Sequence, residues 1–203
     1  MKFYNSLGPN PRVVRMYMAE KGISLPTEMV DVISGENRQA AHLARNPHGQ
    51  TPALELDDGT FISEVLPICE YLEELHPEPA LIGSTPTERA ETRMWARRVD
   101  LNICEPLTNA YRYSGGLKLF ESRMVTVPEA ADGLRRIGLD RVRWLDGQMA
   151  GRTWLCGARF TLADIHLYCF LSFAIDRGAA LDPDLKNIAA WLERMAARPS
   201  AQA

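Results

Sequence analysis

The chain has 203 residues, of which 46% are hydrophobic and 24% are charged, and its formal net charge is −3. This composition provides enough apolar surface for one large core or two small ones, and it excludes a disordered or fibrous protein. The 23 Lys and Arg residues form no basic block, so nucleic acid is not an expected partner. No apolar run approaches the ~20 residues of a membrane span and no signal peptide follows Met1, which predicts a cytoplasmic protein without membrane contact.

The four cysteines lie far apart, and none belongs to a C-x-x-C pair or a zinc-binding pattern. A chain of this length does not need disulfides in order to fold. We therefore expect reduced thiols in the core at Cys69, Cys104, Cys156 and Cys169.

Residues 1–79 carry alternating strand and helix signals. Asn10 is a typical N-cap, Pro11 suits the first position of a helix, and Gly22 suits its end. An Asp-Gly turn at residues 57–59 closes a hairpin. Strands are predicted at residues 2–5, 28–31, 53–56 and 60–62, and helices at 11–22, 36–45 and 64–75. The resulting order, β-α-β-α-β-β-α, predicts a mixed α/β domain.

Residues 85–203 lack strand signals, which predicts a separate, all-helical domain. A capping box at Thr85-Pro-Thr-Glu88 opens a helix that runs to about Tyr113, and Pro128 opens another. A second capping box, Thr161-Leu-Ala-Asp164, precedes an apolar segment that is typical of a buried helix. The last helix is predicted over residues 184–197.

Several motifs resemble those of the cytosolic glutathione S-transferase family, and together they cover nearly the whole chain. The N-terminal ones are Asn46-Pro-x-Gly-x-Thr-Pro52-x-Leu, Asp57-Asp-Gly, and Glu64 followed by Ile68-x-x-Tyr71-Leu72. The C-terminal ones are Leu81-Ile-Gly-x-x-Pro86-x-Glu88-Arg89-Ala90 and Leu155-x-Gly157-x-x-Phe160-Thr161-x-Ala163-Asp164-Ile165. The resemblance implies a thioredoxin-like domain over residues 1–79 followed by the helical domain.

The same resemblance implies the activity of the family, in which glutathione thiolate attacks an electrophilic carbon. Glutathione is then a substrate, the second substrate is a small electrophile, and no metal or other cofactor is implied. The resemblance also implies a homodimer.

The chemistry requires a thiolate at neutral pH, although a free thiol has a pKa near ~8.5. The catalytic cysteine and serine of two family classes fall on Asn10 and near Gly8, so neither is present. The hydroxyls of Tyr4 and Ser6 lie earlier, at the end of the first strand, and would enter the site only if the loop over residues 7–9 bends suitably. The run from Gly8 to Arg12 resembles a fungal and bacterial subgroup that lacks the usual Ser, Tyr or Cys. The resemblance implies that the first helix's N-terminus and bound water stabilise the anion there. Asn10 is therefore either part of the helix start that stabilises the thiolate or only a plain helix cap. Arg12 either lends positive charge to the site or is solvated.

The glutathione-binding residues are also implied by the resemblance. The family keeps the equivalent of Pro52 cis, so that the backbone of Thr51 pairs with the cysteinyl part of glutathione. Gln50 and His48 are candidates for the glycyl carboxylate, although His48 is equally an ordinary loop histidine. Glu64 and Val65 open the third helix, where the family usually has an acid and a serine for the γ-glutamyl group. Valine at position 65 removes one hydrogen bond.

Two residues of the helical domain are candidates for the active site. Tyr113 is expected to contact or polarise the electrophile, or else to be a partly buried structural tyrosine. Asp100 occupies a position where some relatives reach across a dimer to the glutathione amine, and a solvated helix face explains it equally well.

Two other functions remain alternatives to glutathione conjugation. A catalytically silent relative that serves as a binding or scaffold module is suggested by Val65 and by the absence of an evident catalytic hydroxyl. A glutathione-dependent disulfide reductase or peroxidase is disfavoured, because no cysteine precedes Cys69.

Overall fold

The computed structural model describes all 203 residues and divides into two compact units. The first comprises Met1–Leu81 together with Pro199–Ala203, and the second comprises Ile82–Arg198. The last five residues, which the sequence assigns to the helical domain, thus group with the first unit. Pro199–Gln202 form a 3₁₀ turn, and the Ala201 carbonyl accepts a hydrogen bond from Arg12 at 2.9 Å.

The first unit is built on a four-stranded mixed sheet, as predicted. Its order is β2-β1-β3-β4, with β2 parallel to β1 and the other neighbours antiparallel. The predicted strand at 28–31 is displaced by one to two residues toward the N-terminus, and Val30 continues the pairing only through its amide, which donates to Asn5 at 2.8 Å. The strands are β1 (Lys2–Asn5), β2 (Thr27–Met29), β3 (Ala53–Glu55) and β4 (Phe61–Ser63).

The helices of the first unit follow the predicted order. They are α1 (Pro9–Lys21), α2 (Ala40–Leu43) and α3 (Val65–Leu75). The helix predicted over residues 36–45 is instead a 3₁₀ turn, Glu36–Arg38, followed by the single turn of α2. Gln39 separates them because its backbone is extended, with φ −82° and ψ 156°.

Helix α1 begins two residues earlier than predicted. Its N-cap is Gly8 and not Asn10, and Pro9 takes the first helical position. The residue before a proline usually avoids helical backbone angles, but this is only a preference. Here Asn10 is helical although it precedes Pro11. Gly8 has φ 114° and ψ 171°, which favours glycine. The predicted end is confirmed, since Gly22 adopts the left-handed conformation with φ 66°.

The second unit is helical, as predicted. Its helices are α4 (Pro86–Val99), α5 (Glu105–Arg112), α6 (Leu117–Phe120), α7 (Ala131–Gln148), α8 (Leu162–Asp176) and α9 (Lys186–Ala196). The helix predicted from Thr85 to Tyr113 is interrupted by a π-helical turn, Asp100–Cys104. Pro106 contributes to this interruption because it lacks the amide that would bond back to Asn102. The short α6 was not predicted.

Both predicted capping boxes are confirmed, at Thr85 with Glu88 and at Thr161 with Asp164. The four cysteines are buried and free, as expected. No helix combines the length and the apolar composition that crossing a membrane requires.

Candidate functional site

The loop over residues 46–52 is held in place through its own carbonyl groups. Four side chains from the segment 37–46 donate hydrogen bonds to three consecutive carbonyls. The pairs are Asn37 to Gly49 (2.6 Å), Arg38 to His48 (3.1 Å), and His42 and Asn46 to Gln50 (2.8 and 3.0 Å). The side chains of His48 and Gln50 are left exposed to solvent. This arrangement gives the backbone that precedes Thr51 a defined position.

Sequence reasoning missed the loop-holding roles of Asn37 and His42. Both side chains are buried, at 5% and 2% exposure, although they belong to a segment that looks like a polar surface helix. Their partners lie eight to twelve residues away in an irregular loop, so no helical or strand period indicates them.

The peptide bond between Thr51 and Pro52 is cis, as the resemblance implies. The amide and carbonyl of Thr51 lie just before β3, and neither has a hydrogen-bond partner in the chain. Unpaired backbone groups at the end of a strand can pair with an extended peptide. Thr51 thus offers one donor and one acceptor to such a ligand.

Ser6 lies directly after β1 and contacts Thr51 through its side chain. Its Oγ is 2.5 Å from Oγ1 of Thr51 and 3.1 Å from the carbonyl oxygen of Leu7. Arg15 holds this end of β1, because its guanidinium donates to the Asn5 side chain at 2.7 Å and to the Ser6 carbonyl at 3.2 Å. Ser6 is only 1% exposed, so its hydroxyl is covered by protein.

The N-terminus of α1 has no side-chain cap and few free amides. The first four amides of a helix have no partner within it, and here two of those four positions are the prolines Pro9 and Pro11. The amides of Gly8 and Asn10 remain. The Asn10 side chain is half-exposed at the second helical position. Arg12 binds the Ala201 carbonyl, which gives it a structural partner.

The N-terminus of α3 is also without a side-chain cap. Its N-cap, Glu64, has φ 71° and is the only non-glycine residue with a positive φ. Such a conformation costs about 1–3 kcal/mol and is often found at binding sites. The Val65 side chain is 6% exposed, while its amide and that of Leu66 belong to the unpaired first turn.

Tyr113 and Asp100 belong to the second unit. Tyr113 is half-exposed at the C-terminal end of α5. Asp100 lies at the start of the π-helical turn, where His166 and Arg97 contact its two carboxylate oxygens at 3.3 and 3.4 Å. Burial is the largest single influence and would raise the pKa of Asp100, but the hydrogen bonds and charges of His166 and Arg97 together outweigh it and lower that pKa below its usual value. Asp100 therefore has partners within its own unit, so it is not simply a solvated residue.

Comparisons with known proteins agree with this fold. Family models described as the N-terminal and C-terminal domains of glutathione S-transferase match residues 3–80 and 128–199. Glutathione S-transferase 2 of Saccharomyces cerevisiae is 31% identical over 195 residues, which cover 95% of this chain and 84% of the relative.

Two bacterial relatives are somewhat more similar in sequence. A maleylacetoacetate isomerase of Pseudomonas aeruginosa is 37% identical over 180 residues, which cover 87% of this chain and 82% of the relative. The crystal structure of a glutathione S-transferase domain-containing protein of Marinobacter aquaeolei has a TM-score of 0.92 at 35% identity. That match covers 98% of this chain and 99% of the other. The chain therefore belongs to the glutathione S-transferase family.

Proposed function

We propose that this glutathione transferase binds the cysteinyl part of glutathione at Thr51 and conjugates its thiolate to small electrophiles. The observation that carries the proposal is the pair of unpartnered backbone groups of Thr51, which precedes the cis bond to Pro52. Four side-chain hydrogen bonds hold the loop before it, so little conformational entropy is lost when the ligand pairs there.

The two ends of glutathione have candidate partners on either side of Thr51. The exposed side chains of His48 and Gln50 are proposed to contact the glycyl carboxylate. The γ-glutamyl carboxylate is proposed to accept from the free amides that start α3, with Glu64 near its amine. Val65 offers only its amide, so this contact lacks the hydroxyl bond that a serine would add.

The thiolate is proposed to lie near the start of α1. The amide of Asn10 and the positive end of the helix dipole favour an anion there by about 0.3–1 kcal/mol. Each 1.36 kcal/mol corresponds to about one unit of thiol pKa, so this contribution alone is modest. Arg12 is proposed to add a weak positive potential, since its guanidinium is already bound to Ala201.

Calorimetric titration with glutathione tests the binding site directly. Binding is expected for the unaltered chain, and conjugation is expected with at least one member of a panel of small electrophiles. The absence of heat beyond dilution at millimolar glutathione would overturn the proposal. Binding without turnover of any electrophile would instead favour the silent binding module.

An isomerase reaction is a second candidate, because a relative with 37% identity is a maleylacetoacetate isomerase. A thiolate that adds reversibly to a conjugated double bond allows rotation about that bond before it leaves again. The same glutathione site would therefore serve both reactions. Assay of maleylacetoacetate in the presence of glutathione separates them, since isomerisation consumes no glutathione.

The remaining proposals rest on the resemblance. Tyr113 is proposed to contact the electrophile, and loss of its hydroxyl in Tyr113→Phe should then lower turnover of some electrophiles but not others. A cytoplasmic homodimer is proposed, in which Asp100 approaches the partner's glutathione. A monomer in analytical ultracentrifugation at micromolar concentration would contradict the dimer and remove that role of Asp100.

A further inference from the structure

The hydroxyl groups of Ser6 and Thr51 form a pair beside the proposed cysteinyl site. Their oxygens are 2.5 Å apart, and either oxygen can be the donor. Ser6 is 1% exposed, whereas Thr51 is only partly buried. Thr51 is therefore the member of this hydroxyl pair that a ligand can reach, and Ser6 lies behind it.

The geometry of an antiparallel pair brings the glutathione sulfur to the Thr51 side chain. Residues directly opposite one another project to the same face, with Cβ atoms about 4.5–5.5 Å apart. A cysteine paired with the Thr51 backbone therefore projects its sulfur to the face that carries Oγ1 of Thr51. Both polar atoms are one bond beyond Cβ, so they can come within hydrogen-bond distance.

We propose that Thr51 is a catalytic residue whose hydroxyl donates a hydrogen bond to the glutathione thiolate, and that Ser6 is a positioning residue that supports it. The role rests on the proposed binding of glutathione at the Thr51 backbone. It assigns a function to the Thr51 side chain in addition to that of its backbone.

The hydroxyl pair has enough protons for this role. Each hydroxyl has one proton and can accept through its lone pairs. The distances allow Ser6 to donate to the Leu7 carbonyl at 3.1 Å while Thr51 donates to Ser6. When the thiolate is bound, Ser6 turns its proton to Thr51 and Thr51 turns its own to the sulfur. Both protons stay on their oxygens, and the thiol proton leaves to solvent.

This hydrogen bond favours the thiolate over the thiol. A hydrogen bond to an ionised acceptor is roughly twice as strong as one between neutral groups, and a neutral thiol accepts only weakly. The hydroxyl therefore adds to the contribution of the α1 amides. Removing it should raise the pKa of bound glutathione by about one unit.

The test compares Thr51→Val with Thr51→Ser. Valine removes the hydroxyl but keeps the branched shape and the backbone, whereas serine keeps the hydroxyl. The ultraviolet absorbance of bound thiolate, followed across pH, measures the thiol pKa, and calorimetry at a pH where the thiol is protonated measures affinity. Thr51→Val should raise the pKa by about one unit and change that affinity by less than about twofold, and Thr51→Ser should resemble the unaltered chain.

Ser6→Ala provides the second measurement. It should raise the pKa of the bound thiol by less than Thr51→Val does, and the double variant should titrate like Thr51→Val alone, because the two residues act in series. A larger effect of Ser6→Ala would make Ser6 the direct donor and overturn the proposal.

Three further results would bear on the role of Thr51. An unchanged pKa in Thr51→Val, with glutathione bound, overturns the catalytic role but leaves the proposed function intact. Failure of the unaltered chain to bind glutathione overturns both. If circular dichroism shows that Thr51→Val is unfolded, Thr51→Ala replaces it, with the same result expected.

Discussion

The starts of α4 and α8 in the second unit differ from those of α1 and α3 in the first, although α5, α6, α7 and α9 also lack a side-chain cap. In the second unit, α4 and α8 each begin with a capping box, in which side chains occupy the first amides. In the first unit, α1 and α3 begin at Gly8 and Glu64 without any side-chain cap. The capped starts stabilise the helical unit, whereas the uncapped starts leave amides that an anionic ligand can use. The difference separates a structural use of helix termini from the binding use proposed here.

The start of α8 is the more deeply buried of the two capped ends. Asp164 is 0% exposed and accepts hydrogen bonds from the amides of Leu155 (3.0 Å) and Thr161 (3.1 Å) and from the indole of Trp191 (3.0 Å). It therefore joins the start of α8 to α9 and to the segment before it. A change at this position should affect the whole second unit.

The largest expected effect is that of Asp164→Ala. Three buried donors would lose their acceptor, so the free energy of unfolding should fall by about 3–5 kcal/mol. Urea denaturation measures the loss. Asp164→Asn is the matched control, since it keeps one acceptor oxygen and should cost less. A loss below about 1 kcal/mol for Asp164→Ala would mean that the capping box contributes little to stability.

The pH dependence of stability provides a second test of the role of Asp164. Burial raises the pKa of Asp164 to about 6, although hydrogen bonds from Leu155, Trp191 and Thr161 oppose the increase. Because the unfolded chain has the usual pKa near ~3.9, the folded state binds this proton more tightly. The contribution of Asp164 to stability is then greatest below about pH 4 and falls as the pH rises to about 6.

Relative to Asp164→Asn, the unaltered chain should lose up to about 3 kcal/mol of stability between about pH 4 and pH 6. Denaturation curves of both chains across this interval measure the difference, and the shared titration of other carboxylates cancels. A difference that stays constant, or that grows with pH, would show that the pKa of Asp164 is not raised.

At an uncapped start, Val65→Ser should improve ligand binding. The added hydroxyl would donate to a carboxylate that is already held by the first amides of α3, which should tighten glutathione binding by about three- to thirtyfold. Calorimetry measures the change, and Val65→Ala controls for the smaller side chain. Unaltered or weaker binding in Val65→Ser would mean that the γ-glutamyl carboxylate is not bound at this helix start.

At the exposed capped start, Thr85→Ala should reduce stability without affecting binding. Thr85 accepts a hydrogen bond from the Glu88 amide at 3.2 Å, and its loss should cost about 1 kcal/mol. Glutathione affinity should remain that of the unaltered chain. A change in affinity as large as that expected for Val65→Ser would break the distinction between capped and uncapped starts.

Features of the fold that depend on a few neighbouring residues follow from local sequence patterns. Local patterns predict the two capping boxes, the end of α1 at Gly22 and the hairpin around Asp57-Asp-Gly59, and all are present. The order of strands and helices and the change to an all-helical second unit were also predicted. Each depends on interactions within one or two turns of chain, which propensity and periodicity describe.

The start of α1 and the groups that surround Thr51 depend instead on contacts between distant parts of the chain. The run Gly8-Pro-Asn10-Pro11 allows a helix to start at either proline, and local preference favoured the second. Ser6 and Thr51 are 45 residues apart, and three carbonyls of the 46–52 loop accept hydrogen bonds from side chains that, except for Asn46, lie outside the loop. The first contact follows from the register of the sheet, in which β1 lies beside β3, and the second from the folding of an irregular loop; no local pattern encodes either.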